Sequence, residues 1–108
     1  QSWNGALAAQ QESGGWFDEC ADNEILAAQK LLAEKEGIFC EPASAASLAG
    51  AMRDIKSGKI VANSTVVCTL TGHGLKDPDV AIAQSTRPVI KIAAELGQVK
   101  KAILDNLT

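Results

Sequence analysis

The first part of the chain has apolar residues at the spacing of two helices. Residues 2–12 place apolar side chains at helical spacing, and the glycines after Ser13 end that segment. Asp22 or Asn23 can cap a second helix, whose apolar residues share one face and which ends at Gly37. The pattern therefore predicts helix, turn and helix over residues 2–37.

Two further helices are predicted in the rest of the chain. Pro42 opens the first of them, which runs to about Ser57. Small side chains fill most of its first half, which permits close packing on a neighbouring backbone or on a flat ligand. Close packing of this helix on a sheet is the favoured interpretation. Residues 94–107 are predicted to form an amphipathic helix, although Gly97 weakens its first turn.

Residues 64–70 have the composition of a buried strand. This run, Ser-Thr-Val-Val-Cys-Thr-Leu, is rich in β-branched residues and nearly uninterrupted in its apolar character, as strands inside a parallel sheet are. Shorter extended stretches are predicted at residues 16–20, 38–40 and 87–92. The chain is therefore predicted to be an α/β unit, with residues 64–70 inside a parallel sheet.

The loop that follows this strand is the most informative segment of the sequence. It reads Thr-Gly-His-Gly-Leu-Lys-Asp-Pro over residues 71–78, and its glycines permit positive φ and close approach of a ligand to the backbone. Ligands of open α/β sheets bind beyond the carboxyl ends of the strands. The loop is therefore predicted to border a ligand crevice.

Three polar side chains in or near this loop are candidates for a site, each with a simpler alternative. The Thr71 hydroxyl can donate or accept one hydrogen bond toward a bound ring. It can also merely satisfy the hydrogen bonds of the turn, which is the interpretation that composition alone favours. His73 can act as a base or a metal ligand, but a histidine hydrogen-bonded to loop backbone is the favoured interpretation. Glu41, just before the third helix, either complements the helix dipole or faces a site.

Composition and charge exclude two broad classes of protein. The 108 residues fit one domain with one core. Ten Lys and Arg against 13 Asp and Glu give a net charge of −3 without a basic cluster, which argues against a nucleic-acid-binding surface. No apolar run approaches the roughly 20 residues that a membrane-spanning helix needs. We therefore expect neither nucleic acid nor a membrane as a partner.

Cysteine usage and the start of the chain bear on its compartment. Cys20, Cys40 and Cys68 are widely spaced and odd in number, which favours buried free thiols in a reducing cytosol over a disulfide framework or a zinc site. No signal or transit peptide is visible, and the chain begins with Gln1 rather than Met. We expect a cytoplasmic protein and a piece of a longer polypeptide. Common phosphate-loop, dinucleotide, nucleophile-elbow and zinc-peptidase motifs are absent.

Two segments resemble threonine synthases, which are pyridoxal-phosphate enzymes of the tryptophan-synthase-β-like fold (fold type II). They are residues 41–47, Glu-Pro-Ala-Ser-Ala-Ala-Ser, and residues 67–77, Val-Cys-Thr-Leu-Thr-Gly-His-Gly-Leu-Lys-Asp. Residues 12–15 and the acidic-capped helix at 22–37 are also similar to that family. The resemblance implies that residues 1–108 are one unit, the C-terminal portion of the large catalytic domain. It also implies a three-layer α/β fold, in which a mostly parallel sheet and flanking helices are joined by right-handed crossovers. The string Thr-Gly-His-Gly-Leu-Lys-Asp-Pro is specific, whereas the Glu-Pro motif is shared with threonine dehydratases.

The resemblance implies a cofactor, a reaction and two cofactor-binding residues. The cofactor is pyridoxal 5'-phosphate, and the reaction converts O-phospho-L-homoserine and water into L-threonine and phosphate. Thr71 matches the residue whose hydroxyl hydrogen-bonds the pyridine nitrogen, where a neutral hydroxyl alters how strongly the ring withdraws electrons. Glu41 matches an acidic residue in the wall of the cofactor pocket.

The resemblance also implies what this chain lacks. The Schiff-base lysine and the phosphate-binding loop of the family lie in an earlier part of the polypeptide, so no catalytic residue is expected here and the chain alone is predicted to be inactive. None of its lysines matches the motif of that lysine: Lys30, Lys35, Lys56, Lys59, Lys76, Lys91, Lys100 and Lys101. The implied partners are O-phosphohomoserine, the remainder of the same enzyme chain and a second copy in a homodimer.

Two other functions remain open from the sequence. One is a related pyridoxal-phosphate lyase of the threonine or serine dehydratase type, which releases ammonia and a keto acid instead of phosphate. The other is a stand-alone binding or regulatory module without catalysis. No metal site is expected in this chain.

Overall fold

The structure, a computed structural model, describes residues 2–85 and 89–107. Within these ranges the chain forms five α-helices: α1 (Trp3–Ser13), α2 (Asp22–Leu31), α3 (Pro42–Lys56), α4 (Pro78–Gln84) and α5 (Leu96–Asp105). A single π-helical turn, Leu32–Glu36, continues α2, and a 3₁₀ turn, Gly74–Lys76, precedes α4. The four helices that the sequence pattern predicts are confirmed as α1, α2 with its π-helical extension, α3 and α5.

The ends of these helices follow the local chemistry of the sequence, with one correction. Gly37 takes the left-handed conformation with φ of +66° after the π-helical turn, and Pro42 is the first residue of α3. The predicted cap of α2 at Asp22 or its neighbour is wrong, because the capping residue is Ala21. The Glu24 carboxylate reaches back and accepts the Ala21 N–H at 2.8 Å. This is the hydrogen bond that the third helical residue makes to the capping residue in a capping box.

Helix α4 is absent from the sequence-based prediction. Pro78 occupies its first position and Asp79 its first turn, and both residue types favour a helix N-terminus. The helix has only seven residues, which is too short for a clear apolar period.

The predicted parallel sheet is not confirmed. Residues 64–70 form no ladder with any residue in the described ranges, and Val67 is 87% exposed. A strand is defined by hydrogen bonds to a neighbour, so an apolar sequence cannot form one without a partner. The extended stretches at 16–20 and 38–40 also lack a ladder, apart from one isolated antiparallel bridge. Of the stretch at 87–92, two residues lie outside the described ranges, and the others form no strand.

The buried core is small and lies between α2 and α3. It consists of Ala28, Cys40, Ala45 and Ala49. The small side chains of α3 therefore do permit close packing, but within the described structure their partner is a helix and not a sheet. Cys40 is buried, and burial raises the pKa of its thiol. All three cysteines are free, as predicted, but only Cys40 is buried; Cys20 and Cys68 are partly exposed.

A second cluster ties the segment before α2 to the end of α3. Arg53 pairs with Asp18 at 2.8 Å, and the Trp16 indole N–H donates to the Asp54 carboxylate at 3.0 Å. The Lys59 ammonium lies 4.5 Å from the centre of the Trp16 ring. The backbone N–H of the residue after Asp18 and the Lys59 ammonium lower the pKa of the Asp18 carboxyl. These contacts fix residues 16–18 against α3.

The described chain is extended rather than closely packed. Its radius of gyration is 18.8 Å over extents of 61 × 34 × 21 Å, against the roughly 13 Å of a compact 100-residue domain. Large apolar side chains are exposed along it, among them Trp3, Val67 and Leu96. None of the helices seen in the described ranges combines the length and hydropathy of a membrane span.

Candidate functional site

The entry to α3 and the loop after residue 70 run side by side. The backbone N–H of Glu41 donates to the carbonyl of Gly72 at 3.0 Å, and the N–H of Gly74 donates to the carbonyl of Phe39 at 3.1 Å. The residues between these partners form the isolated antiparallel bridge. We call residues 39–41, residues 71–74 and Ser44 the junction. It holds the glycine-containing loop against the start of a helix.

A buried serine of α3 anchors the first residues of the loop. The Ser44 hydroxyl accepts the Gly72 N–H at 2.7 Å and lies 3.1 Å from the Thr71 Oγ1. It also lies 3.3 Å from the Gly72 carbonyl oxygen. Ser44 is only 3% exposed, whereas Thr71 is exposed. Ser44 therefore holds the Thr71 hydroxyl from inside the protein, while the other side of the threonine faces solvent.

Gly72 lies so close to the Glu41 side chain that this side chain occupies the place of a Cβ. A methyl group on its Cα would overlap the Glu41 side chain, whose Oε1 and Cδ lie where that methyl would stand. The Glu41 side chain is about one-fifth exposed and pairs with the Lys76 ammonium at 3.7 Å. Glu41 is also the N-cap residue of α3, although its side chain makes no capping hydrogen bond. Its carboxylate thus lies over the loop, beside the positive end of the helix dipole.

His73 is held by the loop itself. Its Nδ1 accepts the N–H of Leu75 at 3.1 Å, which places the ring proton of the neutral imidazole on Nε2. The ring packs edge-on against Phe39, with 5.6 Å between the ring centres. The interpretation of His73 as a loop histidine hydrogen-bonded to backbone is confirmed. Within residues 2–85 and 89–107, no group of three metal-ligating side chains gathers around it or elsewhere.

A buried glutamine supports the junction from behind. The Gln29 side chain donates to the Cys40 carbonyl at 2.7 Å and accepts a hydrogen bond from the Gln84 amide at 2.6 Å. Gln29 is 4% exposed, so both bonds are made away from water, where an unpaired polar group is costly. Helices α2 and α4 are thereby connected to the backbone that precedes α3. A groove of about 270 Å³ beside this contact is lined by Phe39, Gln84 and residues of α2, and not by Thr71.

A family model now decides the class of protein. The model for pyridoxal-phosphate dependent enzymes matches residues 4–72, which include Ser44, Glu41 and Thr71. The chain belongs to the family of pyridoxal-phosphate dependent enzymes. The match covers α1, α2, α3 and the first half of the junction, so the sequence resemblance to this family is confirmed.

The chain is similar in sequence to several curated threonine synthases. The threonine synthase of Halalkalibacterium halodurans is 58% identical over 82 residues, which are 76% of this chain and 23% of that protein. The threonine synthase of Mycobacterium leprae is 50% identical over 104 residues, covering 91% of this chain and 29% of the relative. That of Methanocaldococcus jannaschii is 50% identical over 98 residues, covering 91% and 24%. The chain spans about a quarter of the length of these relatives.

The junction fits one part of the family's cofactor. A pyridine nitrogen can accept one hydrogen bond, and the Thr71 hydroxyl, on an exposed residue and 3.1 Å from a buried serine, is a group that could donate it. Gly72 is buried, and the Glu41 side chain covers the side of its backbone from which a Cβ would project. The loop lysine, Lys76, is ion-paired to Glu41 and mostly exposed, so it is not presented as a free amine.

Sequence reasoning brought together two of the residues that meet here and missed two others. Glu41 donates its backbone N–H to the carbonyl of Gly72, the residue after Thr71, so the two predicted residues lie close together. Their roles toward a cofactor stay predictions. Ser44 was hidden among the small residues of α3, whose pattern is typical of packing. Gln29 lies on the buried side of α2. A polar residue at a buried position needs a hydrogen-bond partner, and this is the signal by which the sequence could have indicated it.

Proposed function

We propose that this chain is part of a threonine synthase, which converts O-phospho-L-homoserine and water into L-threonine and phosphate. The observation that carries the proposal is the identity of 50–58% to threonine synthases from two bacteria and an archaeon, extending over most of this chain. The specific string at residues 71–78 and the junction geometry support it. Because the chain spans about a quarter of each relative, activity is assigned to the complete protein only.

In this proposal, pyridoxal phosphate supplies an electron-withdrawing ring that stabilises negative charge developing on substrate carbon atoms. Thr71 donates a hydrogen bond to the pyridine nitrogen of that ring. Its hydroxyl is neutral and a weak acid, so it leaves the ring less electron-withdrawing than a carboxylate partner would. Glu41 forms part of the pocket wall beside the ring. No residue of this chain transfers a proton to substrate.

The rest of the polypeptide completes the fold in this proposal. Residues 64–70 become an inner strand of a parallel sheet in a three-layer α/β domain. Their exposed valines and a backbone that forms no ladder within the described ranges are what such a sheet would cover and pair. The extended shape of the described residues and their exposed apolar side chains support the same conclusion. Residues 1–108 form the C-terminal portion of the catalytic domain. The complete enzyme is cytoplasmic and a homodimer.

The test is to supply the complete protein with pyridoxal phosphate and O-phosphohomoserine, and to measure inorganic phosphate and threonine together. Equal amounts of both products support threonine synthase. Ammonia and a keto acid from threonine or serine would instead assign the protein to the dehydratase group. The 108-residue chain alone is predicted to give no product, because it lacks the Schiff-base lysine. Cofactor binding without turnover by the complete protein would favour a non-catalytic binding module.

A further inference from the structure

Ser44 has more polar neighbours than its single hydroxyl proton can serve. One lone pair of its oxygen accepts the Gly72 N–H at 2.7 Å. Its proton then has two acceptors within reach, the Thr71 Oγ1 at 3.1 Å and the Gly72 carbonyl oxygen at 3.3 Å. A hydroxyl carries one donor and two acceptor lone pairs. The direction of the Ser44 proton therefore decides whether Thr71 accepts a hydrogen bond from Ser44 or donates one to it.

The surroundings favour Thr71 as the acceptor. The Gly72 carbonyl already accepts the backbone N–H of Glu41 at 3.0 Å, so it is satisfied without Ser44. The Thr71 oxygen is also the nearer of the two acceptors. When Ser44 donates to Thr71, the proton of Thr71 is free to point outward, away from the protein.

The opposite polarity would make Thr71 unsuitable for a ring nitrogen. If Thr71 donated to Ser44, its outward side would present only lone pairs. An unprotonated pyridine nitrogen is itself an acceptor, so no hydrogen bond could form between them. Ser44 therefore determines whether the exposed hydroxyl is a donor at the place where the ring is expected.

We propose that Ser44 is a positioning residue that orients the Thr71 hydroxyl as a hydrogen-bond donor toward the pyridine nitrogen of the cofactor. The inference rests on the proposed function only in requiring a bound pyridoxal phosphate, and it holds for any reaction of this family. Ser44 does not touch the ring itself, because it is buried behind Thr71. Its effect on the cofactor passes through the Thr71 hydroxyl.

The experiment must separate this role from the structural bond to Gly72. We would prepare the complete protein with Ser44→Ala, Thr71→Val and both changes together, and load each with pyridoxal phosphate. Ser47→Ala is the matched control, because Ser47 lies one turn along α3, is exposed and bonds the Ser44 carbonyl instead of Thr71. The measurement is the pH midpoint of the absorbance change of the bound cofactor. Near-ultraviolet circular dichroism checks that each variant is folded.

Loss of a hydrogen bond to the cofactor is expected to move this pH midpoint by roughly 0.4 to 1 unit. We expect Ser44→Ala to shift the midpoint in the same direction as Thr71→Val, and the double variant to shift it no further than Thr71→Val alone. Ser47→Ala should leave it unchanged. If Ser44→Ala does not fold, Ser44→Cys keeps the volume with a weaker donor and should give a smaller shift in the same direction.

Two results would overturn the proposal. One is a folded Ser44→Ala or Ser44→Cys protein that titrates like the parent while Thr71→Val shifts. The other is a set of shifts that simply add in the double variant, because additive effects mean that Ser44 acts independently of Thr71. Failure of the proposed function shows itself separately, as a parent protein that binds the cofactor but releases no phosphate from O-phosphohomoserine.

Discussion

Replacing Thr71 by valine tests whether its hydroxyl has a chemical role or a structural one. Valine has the same shape and the same branching at Cβ, so it places the same demands on the backbone at residue 71. The side-chain hydrogen bond that is lost joins Thr71 to Ser44, at 3.1 Å. Its net contribution is about 0.5–1.5 kcal/mol. Because the Ser44 proton can turn to the Gly72 carbonyl at 3.3 Å, we expect the low end of that range.

The expected loss of activity is much larger than the loss of stability. A hydrogen bond to a group whose charge changes during reaction contributes about 1.5–3 kcal/mol, which corresponds to a fall in kcat of about 10- to 150-fold. The assay is phosphate release from O-phosphohomoserine by the complete protein, together with its thermal unfolding. Thr65→Val, the same substitution six residues earlier on an exposed position, is the control and should retain parental kcat. A Thr71→Val protein with parental kcat would refute the role assigned to this hydroxyl.

Three further substitutions or measurements test the surroundings of the site. Gln29→Leu should destabilise the complete protein by about 1–3 kcal/mol in urea unfolding, because it leaves the buried Cys40 carbonyl without its 2.7 Å partner; a change below about 0.5 kcal/mol, as expected of a surface substitution, would contradict this. Gly72→Ala should displace the Glu41 carboxylate and raise the Kd for pyridoxal phosphate, and an unchanged Kd would remove Glu41 from the pocket wall. The Cys40 thiol should resist alkylation until the pH exceeds the ordinary thiol range, since burial raises its pKa; rapid alkylation at neutral pH would show that the junction opens.

The helices could be predicted from the sequence because their signals are local. Apolar spacing, the proline that opens α3 and the glycine that ends the second helix act within a few residues of each other. The cap of α2 was placed one residue too late, because an acidic side chain from the first turn reaches back to Ala21. This difference concerns one capping hydrogen bond, and the predicted helix itself is present.

The sheet and the proton network could not be predicted in the same way. Residues 64–70 have the sequence of an inner strand, but a ladder needs a partner whose position no local pattern supplies. Ser44 and Thr71 are 27 residues apart, and Ser44 lies in a stretch of small residues that is typical of helix packing. Their contact follows from the antiparallel approach of the loop to Glu41, which is a property of the folded chain. The family resemblance implies a role for Thr71, and although Ser44 lies in the resembling segment 41–47, the resemblance assigns no role to it.

The most direct test of function is the simultaneous measurement of phosphate and threonine formed from O-phosphohomoserine by the complete, pyridoxal-phosphate-loaded protein. We predict that the two products appear in equal amounts, and that omission of the cofactor abolishes both. A protein that binds pyridoxal phosphate but releases no phosphate, or that releases ammonia from threonine instead, would contradict the assignment as a threonine synthase.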